Sequence, residues 1–144
     1  MKKQLFSRCA QAFVWCFLWL ITMNARSEEI KYADPNEIIV VTAAHREVAI
    51  RLPANPSTGY LWMLHSYDKS LMETPVSEYI PGRTDKIGAP GVSIWRFKFK
   101  ARAFQSLHKT TVILQYQRPW EQTVVKKQRV HFILRRGSDV DLSR

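Results

Sequence analysis

The segment VSIWRFKFKARA, residues 92–103, alternates strictly between apolar and cationic residues from Trp95 onward. Successive side chains of a β-strand point to opposite faces of a sheet, whereas the faces of a helix repeat every 3.6 residues. The segment therefore predicts a strand with one face in a core and one face in solvent. Its apolar face holds Trp95, Phe97, Phe99, Ala101 and Ala103, and its cationic face holds Arg96, Lys98, Lys100 and Arg102.

The same two-residue period continues outward on both sides of this segment. It brings together Val48, Ile50 and Leu52, then Val112, Leu114 and Tyr116, then Val130, Phe132 and Leu134. With the less regular apolar runs included, we predict about seven strands, at residues 37–43, 46–53, 59–67, 72–80, 92–103, 109–118 and 124–136. The strand over 72–80 is an edge strand, because Pro75 lacks an N–H. This pattern predicts an all-β fold, an antiparallel sandwich or barrel in a single domain.

The first 27 residues have the composition of a secretory signal peptide. Three cations precede an uncharged, mostly apolar run over residues 10–23. This run is shorter than the roughly 20 residues that a spanning helix needs, and an uncleaved membrane anchor is the alternative. We predict a signal peptide over 1–27, cleaved near 25–27, an exported domain over 28–144, and a periplasmic or secreted location.

The residues after the signal peptide offer little for catalysis. Both cysteines, Cys9 and Cys16, lie in the predicted signal peptide, so the exported chain has no thiol and no disulfide. Ser57 is not part of a Gly-x-Ser-x-Gly motif. The histidines are too widely spaced for a zinc signature; they are His45, His65, His108 and His131. We therefore expect no enzyme, no metal and no cofactor.

The chain carries a formal net charge of +10, which falls to +7 when Lys2, Lys3 and Arg8 leave with the signal peptide. The remaining cations are spread along the chain, without a block of five or six. The densest stretch, KKQRV with LRR between residues 126 and 136, fits the outer face of a strand. We expect no nucleic-acid partner and no stable membrane association after cleavage.

If successive strands reverse direction, alternate connections lie at the same end of the domain. One end then carries the first loop, NPSTGY (55–60), the middle loop, PGRTDKIGAPG (81–91), and the third loop, RPWEQT (118–123). Short, plain connections are expected at the opposite end. Elaborate loops grouped on a rigid sandwich are typical of a recognition surface.

Each of these loops also has a purely structural explanation. The first loop combines Pro56, which fixes φ, with Gly59, which allows positive φ; it is either a stiff projection or a stable turn. Trp120 is either a binding anchor or folds back on the rim while Arg118 pairs with Glu121. The glycines of the middle loop either expose backbone to another chain or only make the loop flexible.

Together, NPSTGY, GAPG and RPW, in this order on an all-β chain with a signal peptide, resemble the chagasin family of cysteine-peptidase inhibitors. That family shows N-P-T-T-G-[YF], G-x-G-G and R-P-[WFY] loops on an immunoglobulin-like fold. The resemblance covers nearly the whole chain after the signal peptide. Ser57 replaces a threonine, and Pro90 replaces the first glycine of the closing Gly-Gly pair, which removes an N–H and fixes φ.

The resemblance implies a reversible inhibitor of papain-like cysteine peptidases, either the cell's own or a host's. The first loop would cover the catalytic Cys–His pair, with Thr58 deepest and Asn55 bracing the loop from within. The middle loop would run along the unprimed cleft, and the third loop would lie on the primed side. The implied peptidase-binding residues are Asn55, Pro56, Ser57, Thr58, Gly59, Tyr60, Gly88, Ala89, Pro90, Gly91, Arg118, Pro119 and Trp120.

We expect a monomer that binds such peptidases. The alternative is a secreted, non-catalytic immunoglobulin-like binding or adhesion module, since a fold does not fix a function. Such a module would not need the three motifs together.

Overall fold

In a computed structural model of the chain, residues 30–82 and 89–137 are described, so the predicted signal peptide and Gly88 lie outside the described residues. Within these ranges the chain forms eight strands and two short 3-10 turns, at Pro56–Thr58 and Ala101–Phe104. The strands are β1 (Lys31–Ala33), β2 (Ile38–Thr42), β3 (Glu47–Ala54), β4 (Leu61–Ser66), β5 (Val76–Ile80), β6 (Gly91–Lys98), β7 (His108–Gln117) and β8 (Lys126–Arg135).

The strands make two four-stranded sheets that share one hydrophobic core. The first sheet has the order β1-β3-β6-β5 and the second has the order β2-β8-β7-β4. Successive strands reverse direction, as predicted, which makes most neighbouring pairs antiparallel. The first two strands add two parallel pairs, β1 with β3 and β2 with β8. The predicted all-β sandwich in a single domain is confirmed.

All seven predicted strands are present, as β2 to β8, and β5 lies at a sheet edge as Pro75 indicates. The sequence does not predict β1, because its three residues are too few to show an alternating period. Three connections lie at the end opposite the three loops. The link over 43–46 is short, as predicted, and the His45 N–H donates to the Thr42 carbonyl in it at 3.1 Å. The links over 67–75 and 99–107 are long, so the prediction of short, plain connections is wrong for these two.

The strand predicted over 92–103 is too long. β6 ends at Lys98, and the Lys100 N–H then donates to the Leu71 carbonyl at 2.9 Å. This bond turns the chain away from the sheet and into the 3-10 turn that follows. Ala101 is consequently exposed rather than on the core face, whereas Ala103 is fully buried.

The core fills the space between the two sheets with the predicted apolar faces. The rings of Phe97 and Phe99 contact the ring of Phe132 with centroids 5.2 and 5.1 Å away. Interdigitated rings at this spacing pack densely and hold the strand ends in fixed positions. The largest side chains with almost no exposed surface are Phe97, Phe99, Phe132, Ile50, Met72, Leu114, Leu134, Val112 and Val130.

Candidate functional site

Strand register brings the three loops to one end of the sandwich, as predicted. Ala54 pairs with Gly91, and Ile80 pairs with Val92, so the first and middle loops leave the first sheet side by side. Leu61 pairs with Gln117 in the second sheet, which places the third loop beside the end of the first loop. The sequence-predicted residues among those described therefore form one surface.

The first loop is ordered by hydrogen bonds of its own residues. The Thr58 N–H donates to the Asn55 carbonyl at 3.2 Å, and the Thr58 hydroxyl donates to the same oxygen at 2.7 Å. The Ser57 hydroxyl donates to the side-chain oxygen of Asn55. Asn55 thus receives bonds from the residues at the tip, while Ser57 and Thr58 are solvent-exposed. The tip is held in place before any partner arrives.

Gly59 closes this turn in the left-handed conformation, with φ of +82°. Its N–H donates to the Pro56 carbonyl at 2.9 Å. A Cβ at this position would lie 2.9 Å from Cη2 of Trp120, closer than real Cβ atoms approach other groups. There are therefore two reasons for a glycine at this position. The backbone conformation favours it, and the indole ring of Trp120 leaves no room for a Cβ.

Tyr116, at the end of β7, supports the first loop from below. Its hydroxyl accepts the Asn55 N–H at 3.1 Å. Its ring lies 5.6 Å from the Tyr60 ring and 5.1 Å from the Trp62 ring, between centroids. The Trp62 indole N–H in turn donates to the Pro53 carbonyl at 2.9 Å. The loop therefore stands on a base of packed aromatic rings.

Arg118 joins the third loop to the first. Its Nε donates to the Thr58 carbonyl at 3.3 Å, and its guanidinium carbon lies 4.6 Å from the centroid of the Tyr60 ring. A terminal nitrogen donates to the Glu121 carboxylate at 2.9 Å. This bond stabilises the charged form and raises the pKa of Arg118 above its ordinary value. Three partners hold one guanidinium.

The structural explanation offered for the third loop is partly confirmed, whereas the binding explanation stays a prediction. Arg118 does pair with Glu121, and the indole of Trp120 touches Gly59 at the rim. Yet Trp120 remains 71% exposed, the largest exposed fraction among the large hydrophobic residues that the structure describes. One edge of the ring is fixed, and most of its surface is open to solvent.

The middle loop is described only at its two ends. Gly91 is buried as the first residue of β6, and a Cβ there would collide with the Tyr79 ring and the Ile80 carbonyl. A Cβ at Gly82 would likewise collide with the Pro90 carbonyl, whereas Pro90 is itself exposed. The glycines at the base thus let the two arms of the loop approach each other closely.

Within the described ranges, no group of three or more His, Asp or Glu side chains is placed to hold a metal ion. The same residues contain no helix long and apolar enough to cross a bilayer.

Residues 42–134, more than half of the chain, match the family described as Chagasin family peptidase inhibitor I42. The chain therefore belongs to the chagasin family of peptidase inhibitors, and the predicted resemblance is confirmed. Members of this family are inhibitors rather than enzymes, which also confirms that the chain is not an enzyme. The chain is similar to chagasin of Trypanosoma cruzi, with 29% identity over an alignment of 89 residues that covers 59% of this chain and 76% of that protein.

Two solved structures have a similar fold. The cysteine protease inhibitor EhICP2 of Entamoeba histolytica matches with a TM-score of 0.53 and 21% identity, over 74% of this chain and 95% of that one. Amebosin, determined in solution, matches with a TM-score of 0.53 and 18% identity, over 75% of this chain and 98% of that one. Together with the two-sheet architecture, they confirm the predicted immunoglobulin-like fold. In each of these two structures, a domain of this extent makes up nearly the whole chain.

Tyr116 is the residue of this end whose role the sequence does not predict. Its place in the alternating pattern assigns it to the core face, and it is half-buried there. Its position in the sequence could have indicated this role, since a tyrosine on an inward face at the end of a strand needs a hydrogen-bond partner for its hydroxyl. That partner is the backbone of the neighbouring loop.

Proposed function

We propose that this protein is a reversible inhibitor of papain-like cysteine peptidases and that it blocks the active-site cleft with three loops, at residues 55–60, 88–91 and 118–120. One observation carries the proposal: a largely exposed Trp120 rests against Gly59, the residue after an exposed Thr58, on two loops that are bonded to each other. Membership of a peptidase-inhibitor family supports the general activity.

The first loop enters the cleft with Thr58 foremost. Its hydroxyl already donates to the Asn55 carbonyl, and its own carbonyl already accepts from Arg118. The loop therefore loses little conformational freedom on binding, which favours affinity. The loop supplies no nucleophile and need not be cleaved, so inhibition is steric and reversible.

Trp120 is the anchor of the third loop, and Arg118 is its brace. An exposed tryptophan supplies a large contact area at low entropic cost, as in binding hot spots. The guanidinium of Arg118 is already engaged by Thr58, Tyr60 and Glu121, so its main task is to hold the two loops together. The first and third loops then act as one rigid unit.

The middle loop pairs with the unprimed part of the cleft through its backbone. Pro90 has no N–H to donate, so one contact of a Gly-Gly pair is lost at this position. We expect Pro90 to reduce affinity for peptidases that use that contact and to leave others unaffected. Selectivity among papain-like enzymes is the consequence.

Export completes the proposal. Cleavage near residues 25–27 releases a monomeric domain to the periplasm or the exterior, where it meets peptidases of its own cell or of a host. Mass spectrometry of the protein recovered from outside the cytoplasm tests the export and the cleavage, because a mass that begins near residues 26–28 is expected. An intact N-terminus on the recovered protein would contradict the cleavage.

Papain titrated with the chain from Glu28 onward tests the inhibitory activity. We expect tight inhibition that is lost on dilution, together with an inhibitor of unchanged mass after prolonged incubation. The same titration with a serine peptidase such as trypsin is the control for specificity. Micromolar protein that fails to inhibit several papain-like enzymes, or that is steadily degraded by them, would contradict the proposal.

A further inference from the structure

The outer face of the second sheet, formed by β2, β8, β7 and β4, carries cations without carboxylates. These four strands contain no Asp and no Glu. Four exposed cations point outward from β7 and β8, and His131 lies among them. The cations are Lys109, Lys127, Arg129 and Arg135. We name this surface, with the aliphatic residues described below, the cationic face.

The cations of this face are not in ion pairs with any carboxylate of the described residues. The first sheet differs, because there Arg96 pairs with Glu78 at 3.0 Å and Lys98 pairs with Glu73 at 3.8 Å. Arg51 of the first sheet is also without an ion pair among the described residues. The cationic face differs in that its four exposed cations lie on strands that contain no carboxylate at all.

Aliphatic side chains are exposed among these cations. Ile38 is 63% exposed and is paired with His131, and Val40 is 47% exposed and is paired with Ile133. At the other edge of the same face, Met63 is 37% exposed and lies across from Gln115. Solvent alone favours charged or polar residues at such positions, whereas a partner with an apolar interior favours this mixture.

We propose that the cationic face docks the protein on an anionic lipid bilayer. Cations near such a surface attract it, and exposed aliphatic side chains enter the boundary between headgroups and acyl chains. Because both kinds of residue lie on one face of the sheet, they can reach the bilayer at once. The association is peripheral and salt-dependent, which distinguishes it from the stable anchoring that the sequence argues against.

This docking leaves the three loops accessible. They lie at one end of the sandwich, whereas the cationic face lies along its side. A molecule resting on a bilayer would still present Trp120 and Thr58 along the membrane surface. The proposal does not depend on the inhibitory function, and each can fail without the other.

Co-sedimentation with vesicles tests the docking, using the chain from Glu28 onward and vesicles of phosphatidylglycerol with phosphatidylcholine. We expect binding at low ionic strength, loss of binding near 1 M salt, and little binding to phosphatidylcholine alone. Lys127→Gln with Arg129→Gln should weaken binding roughly 25-fold, at about fivefold for each cation removed.

A charge-matched variant tests whether vesicle binding depends on the cations of this face or only on the net charge of the protein. Arg51→Gln with Lys69→Gln removes two exposed cations elsewhere, on the outer side of the first sheet and at the end opposite the loops. It should reduce vesicle binding far less than the pair on β8. Equal losses in the two double variants, with both proteins folded by circular dichroism, would overturn the proposal.

A second variant tests whether the partner is a bilayer or a soluble polyanion, since a polyanion has no apolar interior. Ile38→Ser with Val40→Thr keeps the charge and should weaken vesicle binding severalfold while leaving the salt dependence in place. Undiminished binding by this variant, or no binding of the unchanged chain to anionic vesicles at low salt, would overturn the proposal.

Discussion

The two ends of the sandwich close their connections in opposite ways. At the end opposite the loops, the links over 67–75 and 99–107 turn aromatic residues inward, and Phe104 is only 3% exposed. Cationic side chains there complete the closure, since Lys100 donates to the Lys69 carbonyl and Arg102 to the Ser70 carbonyl, both at 2.6 Å. At the loop end Trp120 is 71% exposed.

The difference lies in what the hydrogen bonds hold in place. At the opposite end they seal apolar side chains into the core, which stabilises the fold. At the loop end they fix a polar tip and an exposed indole, which adds little buried area. A segment that is well ordered without burying its aromatic residue is poised to bury it against something else. The two ends should therefore respond differently to mutation.

The largest effect is expected at the opposite end, on stability. Phe99 is 2% exposed and packs edge-on against Phe104 and Phe132. Phe99→Ala should lower the free energy of unfolding by about 3–5 kcal/mol, because it leaves a cavity in the core. Denaturant unfolding measures the loss. Inhibition of papain per folded molecule should be unchanged. A large loss of inhibition would contradict the view that the opposite end serves stability alone.

The next effect is expected at the loop end, on inhibition. Trp120→Ala should weaken binding to papain by at least about 2 kcal/mol, the hot-spot scale, and leave the melting temperature little changed. Leu107→Ala is the matched control, because Leu107 is 67% exposed at the opposite end. It should change neither quantity. Should Trp120→Ala unfold the protein instead, the indole would be structural.

Much of this architecture can be predicted from the sequence, and the reason is periodicity. Val130, Phe132 and Leu134 alternate with outward residues, so their inward positions follow from strand geometry alone. The placement of the loops follows from strict reversal of direction. The alternating pattern by itself does not show where β6 ends, because Ala101 fits the pattern as well as Phe99 does. A hydrogen bond from Lys100 to the distant Leu71 decides it.

The arrangement of the candidate site can be predicted less completely than the fold. The motifs indicate Thr58 and Trp120 as candidates, but no spacing rule shows that Trp120 would rest against Gly59 or that Arg118 would bond Thr58. These contacts join residues far apart in the chain, and they depend on side-chain conformations at the strand ends. Sequence reasoning therefore leaves two explanations for the third loop. The structure shows the Arg118–Glu121 pair that the structural explanation expects, and it leaves most of Trp120 exposed.

A smaller effect should show whether the two loops are one unit. Gly59→Ala places a Cβ at positive φ, which costs about 1–2 kcal/mol, and brings it against the indole. In a Trp120→Ala background the second penalty disappears, so the substitution should cost less there. Unfolding free energies of the four proteins in this cycle measure the coupling. Equal costs in both backgrounds would mean that the loops are ordered independently.

The smallest expected effect concerns acid, and it should be confined to the opposite end. The Asp68 carboxylate accepts the Ser70 hydroxyl and the Ser70 N–H, and these bonds lower its pKa below the ordinary value near 3.8. A lowered pKa in the folded state adds stability at pH values above the unfolded pKa, and this stability is lost as pH falls through the folded value. Asp68→Asn should therefore flatten the decline of the melting temperature below about pH 4, while inhibition at neutral pH stays the same. A decline in the variant as steep as in the unchanged protein would show that Asp68 does not contribute to acid sensitivity.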